Sequence, residues 1–328
     1  MKKLNVFVAM GGYSSEYEIS MNSGTVVCGA LDSEKYRVFP IHILEKGWEY
    51  APSEGEKIPV DKADFSVTVE GEKHKPDVIF NCIHGTPGED GYLQAYWKLL
   101  GIPQTSCEYY PAALSFNKRD TLSVLKQFGV ECANSYYVNK GTEYDVEEIV
   151  KKVGLPCFVK PNRSGSSFGI SKVKEMNDMD AAIEKAFEED TEVLIETGLN
   201  GMEVQVGVYR HDGEVIALPP TEIVSKNEFF DYEAKYLGAS EEITPARISE
   251  KETRMLQTQA IKIYRLLNMK GITRSDFILV KGKPYFIELN SNPGLSTESI
   301  VPQQVREAGL TLKEFFSVLI DEALNLGV

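Results

Sequence analysis

The segment RSDFILVKGKPYFIELNSNPG at 274–294 carries the strongest signal for chemistry in the sequence, hard oxygen donors spaced along two strands. Two apolar-rich runs flank a turn near Gly282, which predicts a β-hairpin. Alternation then places Arg274 and Asp276 on one face of the first strand, and Glu288 and Asn290 on one face of the second. With the turn centred on Gly282, Asp276 lies opposite Glu288. Facing carboxylates repel, so the pair persists cheaply only with positive charge between them. Asp, Glu and Asn oxygens suit Mg²⁺, which binds one or two carboxylates together with substrate phosphates. A solvated hairpin face without an ion satisfies the same spacing, so the rest of the chain has to decide.

A second loop, KPNRSGSSFG at 160–169, supplies glycines for close backbone approach, serine hydroxyls and amides for phosphate oxygens, and the charge of Lys160. It lacks the Gly-Lys-Ser/Thr of a Walker A loop, and a plain turn has the same composition. Lys118 and Lys235 could join such a pocket or be surface lysines. His84 ends an apolar run beside glycines, as an acid, base or donor, or as an exposed loop histidine. Glu16 and Glu18 follow the pair Gly11-Gly12, where first-turn helix acids are also favoured by the dipole. Without a G-x-S-x-G elbow, a serine hydrolase is disfavoured.

These loops need strands and helices to hold them. An apolar run at 5–9 ends in the glycine pair, and Val26, Val27, Ala30 and Leu31 follow on one helical face. A second run at 78–83 ends in HGTPGEDG at 84–91, after which helical spacing resumes at Leu93, Tyr96, Trp97 and Leu100. Strand, glycine loop and helix, repeated, imply a parallel sheet with its ligand loops at the carboxyl ends of the strands. Near residue 105 the pattern changes: Asn117 caps a helix running to Gly129, and a small unit holds the strand at 157–160, the glycine-serine loop, a helix with Met179, Ile183, Ala186 and Phe187, and the strand at 193–196. Val204, Val206 and Val208 then suggest a half-buried antiparallel strand. The stretch 225–242 has no period, as functional loops often do not. A helix with Leu256, Ala260, Ile263 and Leu267 follows, and the last helix opens on a Thr311-x-x-Glu314 capping box.

At 328 residues with 42% apolar content the chain can bury a large core in about two domains. Its 49 acids against 35 bases give −14, which opposes nucleic acid and anionic membranes. The opening apolar run is too short for a signal peptide, and the five cysteines form no CxxC pair, so a cytoplasmic protein with reduced cysteines is expected.

Taken together, GGYSSEYEIS (11–20), HGTPGEDG, FNKRD (116–120), KPNRSGSSFGISKV (160–173), FFDYEAKY (229–236), RSDF (274–277) and ELNSNPGLSTESIVP (288–302) resemble the D-alanine:D-alanine ligase family of the ATP-grasp superfamily. The resemblance implies an α/β (α+β) ATP-grasp fold of three subdomains: an N-terminal parallel-sheet domain at 1–105, a small central unit at 106–197, and a C-terminal antiparallel-sheet unit at 198–328 with a lid loop at 225–242. It implies ATP as co-substrate and two Mg²⁺ ions, with Mn²⁺ as a substitute, held by Asp276, Glu288 and Asn290. Lys118, Lys160 and Lys235, with the loop residues Ser164, Gly165, Ser166 and Ser167, would contact the phosphates; Glu196 would meet adenine and Glu203 the ribose. Arg274 would stabilise the transferring group. Glu16 would hold the first D-alanine's ammonium and form a triad with Ser166 and Tyr236 that closes the lid. His84 would assist the acceptor, and Gly294, Ser299 and Ile300, with Asn290, would line the substrate site. Thr197 and Gly198 depart from the lysine and aromatic residue that many members carry after the glutamate, which puts only their side-chain contribution in doubt. A cytoplasmic homodimer acting in peptidoglycan precursor synthesis is the implied setting, with D-serine, D-lactate or another carboxylate-amine pair as alternative substrates.

Overall fold

The computed structural model describes residues 3–52, 55–165, 168–225 and 240–325. The first sheet is built on the strand Leu4–Gly11, buried along most of its length, which pairs in parallel with Tyr36–Leu44 on one side and Val78–Asn81 on the other. Gly47–Tyr50 and Ile58–Pro59 extend it antiparallel beyond Tyr36–Leu44, so the expected parallel arrangement holds for those first three strands alone. The helix Tyr17–Ala30 packs through Ser20, Ser23, Gly24 and Val27; of the expected apolar face Val27 and Leu31 are buried and Ala30 packs against the same core, while Val26 is only half-buried. Small residues win because the helix lies tight on the strand: a Cβ on Gly24 would come within 2.7 Å of Met10.

A second sheet is antiparallel, joining Ser171–Val173, Cys157–Pro161, Glu192–Thr197 and Ser135–Asn139 in that order. Its strands and the helices Val146–Val153 and Met179–Ala186 enclose a small separate core around Val159, Ile183 and Ile195. Beside it, the helix Lys118–Gln127 starts where predicted, with the Asp120 N–H donating to the Asn117 side chain at 3.0 Å.

The third sheet is also antiparallel and centres on Met202–His211, with Thr273–Val280 and then Lys283–Asn290 on one side and Thr221–Ser225 and Ser240–Ile243 on the other. Met202–His211 is not half-buried as its alternation suggests: residues 204 to 209 are all buried. Val204, Val206 and Val208 face one core with the helix Glu250–Leu266, while Tyr209 joins another with the first sheet and the last helix. That last helix, Leu312–Asn325, has the expected box at Thr311 and Glu314. Residues 226–239 lie outside the described set, but their stems pair across the gap, Ser225 opposite Ser240.

Candidate active site

The hairpin Thr273–Val280/Lys283–Asn290 places the acids. Its two-residue turn is Lys281-Gly282, both at positive φ (50° and 76°), the pairing that right-handed strand twist favours. From that turn an uninterrupted ladder would set Asp276 opposite Ile287. A bulge leaves Ile287 unpaired, and the register beyond it brings Asp276 opposite Glu288 and Arg274 opposite Asn290. Phe286 and Leu289, three residues apart, therefore both enter the core, and Glu288 and Asn290 line the cleft. The facing acids thus exist as expected, reached through a bulge and not through a turn centred on Gly282.

Their charge is met by cations. Arg274 grips Asp276 with two hydrogen bonds, Nε to Oδ1 at 2.8 Å and Nη2 to Oδ2 at 2.9 Å. Lys118 Nζ lies 3.4 Å from Glu288 and donates to the Ser164 carbonyl at 2.6 Å, joining the glycine-serine loop to the hairpin. Lys160, buried, pairs with the buried Glu196. Burial pulls the Lys160 ammonium down, but Glu196, Glu288 and Glu203 outweigh it and hold its pKa above the ordinary value. Glu203, on the strand that pairs with Asp276's strand, accepts from Gln205 Nε2 at 3.1 Å.

The cleft, about 300 Å³, lies between the hairpin and the first sheet's loops. Glu16, His84, Lys118, Ser164 and Gly165 line it together with Arg274, Glu288, Asn290, Gly294, Ser299 and Ile300, whereas Asp276, Lys160, Glu196 and Glu203 are not part of its lining. Glu16 is buried against the glycine-serine loop, where a Cβ on Gly165 would sit 2.3 Å from its carboxylate. The predicted triad partners Ser166 and Tyr236, like Ser167 and Lys235, lie outside the described residues. His84 is not an exposed loop histidine: it is buried, and its Nε2 lies 3.2 Å from Ser23 Oγ. Burial, helped by Arg274, lowers its pKa against the opposing pull of Glu16 and the Asn292 backbone.

Across the cleft the helix Ile300–Glu307 begins at Ser299, whose side chain makes no capping bond and instead shares a 2.7 Å hydrogen bond with Ser296. Uncapped first-turn amides attract a carboxylate. Gly294 leaves room beside them, since a Cβ there would stand 2.8 Å from Ser299 Oγ and displace that hydroxyl.

Two acids in this cleft escape a sequence reading. Glu89, in HGTPGEDG, accepts from the Gly85 N–H at 2.8 Å and the Asn292 N–H at 3.2 Å, tying two site loops together. Burial, and then Glu16, push its carboxyl up to about 8. Glu242 accepts from Gln303 Nε2 at 2.6 Å, and burial raises it too. Only their partners mark them, and Asn292 and Gln303 are distant from them in sequence.

The donor set fits a divalent ion shared with a ligand. Among the described residues no cluster of three His, Cys, Asp or Glu could hold a metal alone. Two opposed carboxylates and one amide oxygen form an incomplete shell, which phosphate oxygens would complete.

Comparison with known proteins decides the family. Models of the D-ala D-ala ligase N-terminus and C-terminus match residues 5–107 and 124–321. The chain belongs to the D-alanine–D-alanine ligase family. A family relative from Flavobacterium johnsoniae, named D-alanine--D-alanine ligase, is 56% identical across 98% of this chain and 99% of its own. One of the same name from Christiangramia forsetii is 54% identical, covering 99% of each. Among solved structures, the VanG D-Ala:D-Ser ligase from Enterococcus faecalis superposes with a TM-score of 0.89 at 32% identity, covering 98% of this chain and all of that one. The D-alanyl-alanine synthetase A of Vibrio cholerae gives 0.88 at 27%, covering 99% of both. The ATP-grasp architecture of the family accounts for the parallel first sheet and the two antiparallel ones. No described helix is long and apolar enough to cross a membrane.

Proposed function

We propose that this chain joins two D-alanines into D-alanyl-D-alanine at the expense of ATP, for peptidoglycan precursor synthesis in the cytoplasm. The observation that carries the reading is the convergence of Lys118, Glu288 and Arg274 on one cleft, with the buried Asp276 paired to Arg274, on an enzyme-family fold. Lys118 and Lys160, with the loop from Ser164, bind ATP phosphates; Glu196 and Glu203 lie on the strands that would border the base and ribose. Asp276, Glu288 and Asn290 would hold two Mg²⁺ ions, or Mn²⁺, which when bound neutralise charge on the transferring phosphoryl group.

Glu16 holds the donor's ammonium, leaving its carboxylate free to attack the γ-phosphate; an acyl phosphate and ADP form. Arg274 stabilises the charge that spreads over the transferring oxygens. The acceptor carboxylate rests on Ser299 and the amides from Ile300, beside Gly294. Its amine then displaces phosphate, with neutral His84 nearby. No protein nucleophile is needed, and positioning supplies the rate. Residues 225–242, with Tyr236 and Lys235, would cover the intermediate and exclude water, and Tyr236 with Glu16 and Ser166 would latch that cover. A homodimer of three-unit protomers, divided near residues 105 and 197, completes the reading.

The VanG likeness favours one second reading, a D-serine acceptor. ADP release with ATP and Mg²⁺, measured with D-alanine alone and then with added D-serine or D-lactate, separates the two. D-alanine alone should give full turnover and the dipeptide; a product requiring D-serine or D-lactate would replace this reading.

A further inference from the structure

The helix Ile300–Glu307 carries a buried side chain that the reaction does not touch. Gln304 is fully buried, and its carboxamide is used at both ends. The Gly207 N–H donates to its Oε1 at 2.9 Å, while its Nε2 donates to the Gln205 carbonyl at 2.8 Å and to Thr221 Oγ1 at 3.1 Å. The strand Met202–His211 changes partners at this point: residues 208–211 pair with 214–217, and residues 203–205 with 221–223. Between the two partners the chain runs through Pro219 and Pro220, which have no N–H to donate, and the Leu218 carbonyl is turned to Gln257. The Gln304 carboxamide fills that gap as a piece of strand would, offering one acceptor and one donor to the exposed ladder edge.

The place matters. On its other edge the same strand pairs Gly207 with Arg274 and Gln205 with Asp276. Five residues before Gln304, on the same short helix, stands Ser299 at the cleft. Gly207 must be glycine for the contact to exist, since a Cβ there would lie 2.6 Å from Gln304 Oε1.

We infer that Gln304 is a positioning residue for the acceptor: it fixes the helix start that receives the acceptor's carboxylate against the strand backing Arg274 and Asp276. This rests on the assignment of Ser299 and Ile300 to the acceptor. Loss of the clamp lets that helix start shift relative to Arg274, while the strand Met202–His211, which carries Glu203, stays held by its ladders to residues 221–223 and 273–279, so the nucleotide site keeps its shape. A misplacement of an ångström or less is worth about a tenfold to hundredfold loss where geometry sets the rate.

Steady-state kinetics of the full chain test it, with donor and acceptor D-alanine KM values fitted separately. Gln304→Met keeps the length and removes all three hydrogen bonds; Gly207→Ala keeps the carboxamide and displaces it. Each should raise the acceptor KM about tenfold or more, leaving the donor KM and the ATP KM within about twofold. If Gln304→Met yields no folded protein, Gly207→Ala carries the test. An unchanged acceptor KM in a folded variant, or a uniform loss across all three constants, overturns the role of Gln304. Ser299→Ala separates that failure from the underlying one: if it too leaves the acceptor KM unmoved, the acceptor assignment itself is wrong.

Discussion

Asn162 shows how one side chain sets the distance between two charges. It is buried, its Oδ1 accepts from the Arg119 N–H at 2.8 Å, and its Nδ2 donates to Asn117 Oδ1 at 2.9 Å and Glu192 Oε2 at 2.8 Å. It thus locks the start of the Lys118 helix to the end of the Lys160 strand. Asn162→Leu removes three hydrogen bonds to half-buried partners, and taking the acceptor from the Arg119 N–H should cost about 1–3 kcal/mol; it should raise the ATP KM more than either D-alanine KM, and equal rises in all three would refute the link. Glu288→Gln removes one charge from the ion pair's shell and should cut kcat about a hundredfold and raise the Mg²⁺ needed for half-maximal rate; near-normal turnover at saturating Mg²⁺ would contradict the assignment. His84, with its pKa lowered by burial, stays neutral through the neutral range. The unfolded chain then binds the extra proton first, so the His84 contribution to stability falls as pH drops below about 6.5 towards the folded value. An NMR titration of His84 with a midpoint at or above that ordinary value would dismiss this. The sequence made the loops around these residues legible because glycine, serine and lysine cluster there, but the burial of His84 and the roles of Glu89 and Glu242 depend on neighbours that no local pattern reveals.

Among the elements, the hairpin is the most instructive. Alternation extended from residue 286 puts Phe286, Glu288 and Asn290 on one face, which would bury the acids in the core that Phe286 occupies. Ile287 breaks the alternation, and a bulge of one residue moves all that follows to the opposite face. The facing pair was readable from its chemistry; the device that produces it was not, since a bulge has no composition of its own. Register is therefore set twice, by the turn and by the bulge with Phe286 and Leu289 anchored in the core. Gly282→Ala puts a side chain into the left-handed region, where its Cβ would meet only Glu252 Oε1 at an ordinary 3.8 Å, so it should cost about 1 kcal/mol of stability. Because the bulge still holds the register, kcat per folded molecule should stay within about twofold; a large kcat loss, with the fold intact, would mean that the turn alone aligns Asp276 and Glu288.

At the scale of the whole molecule, the two ends of the chain share one core. Val6, Val8 and Phe80 of the first sheet pack with Phe315, Phe316 and Ile320 of the last helix, Phe80 and Phe316 meeting edge to face at 5.3 Å. The capping box and apolar face mark that helix in the sequence but not the sheet it covers, since periodicity carries no partner. The closure has a mechanical consequence for the cleft. Loops of the first sheet supply Glu16 and His84, and the third sheet supplies Arg274, so the relative placement of the two depends on the core beneath them. Tyr209, on the third sheet's central strand, touches Phe315 at 5.2 Å and completes the bridge. Phe316→Ala removes a fully buried ring from this joint and should cost about 3–5 kcal/mol. The chain should then melt at a lower temperature in one transition, with D-alanine binding weakened more than ATP binding, because Lys118 and Lys160 stand on other cores. Calorimetry with and without each ligand checks this, and equal weakening of both ligands would show that the terminal core serves stability alone.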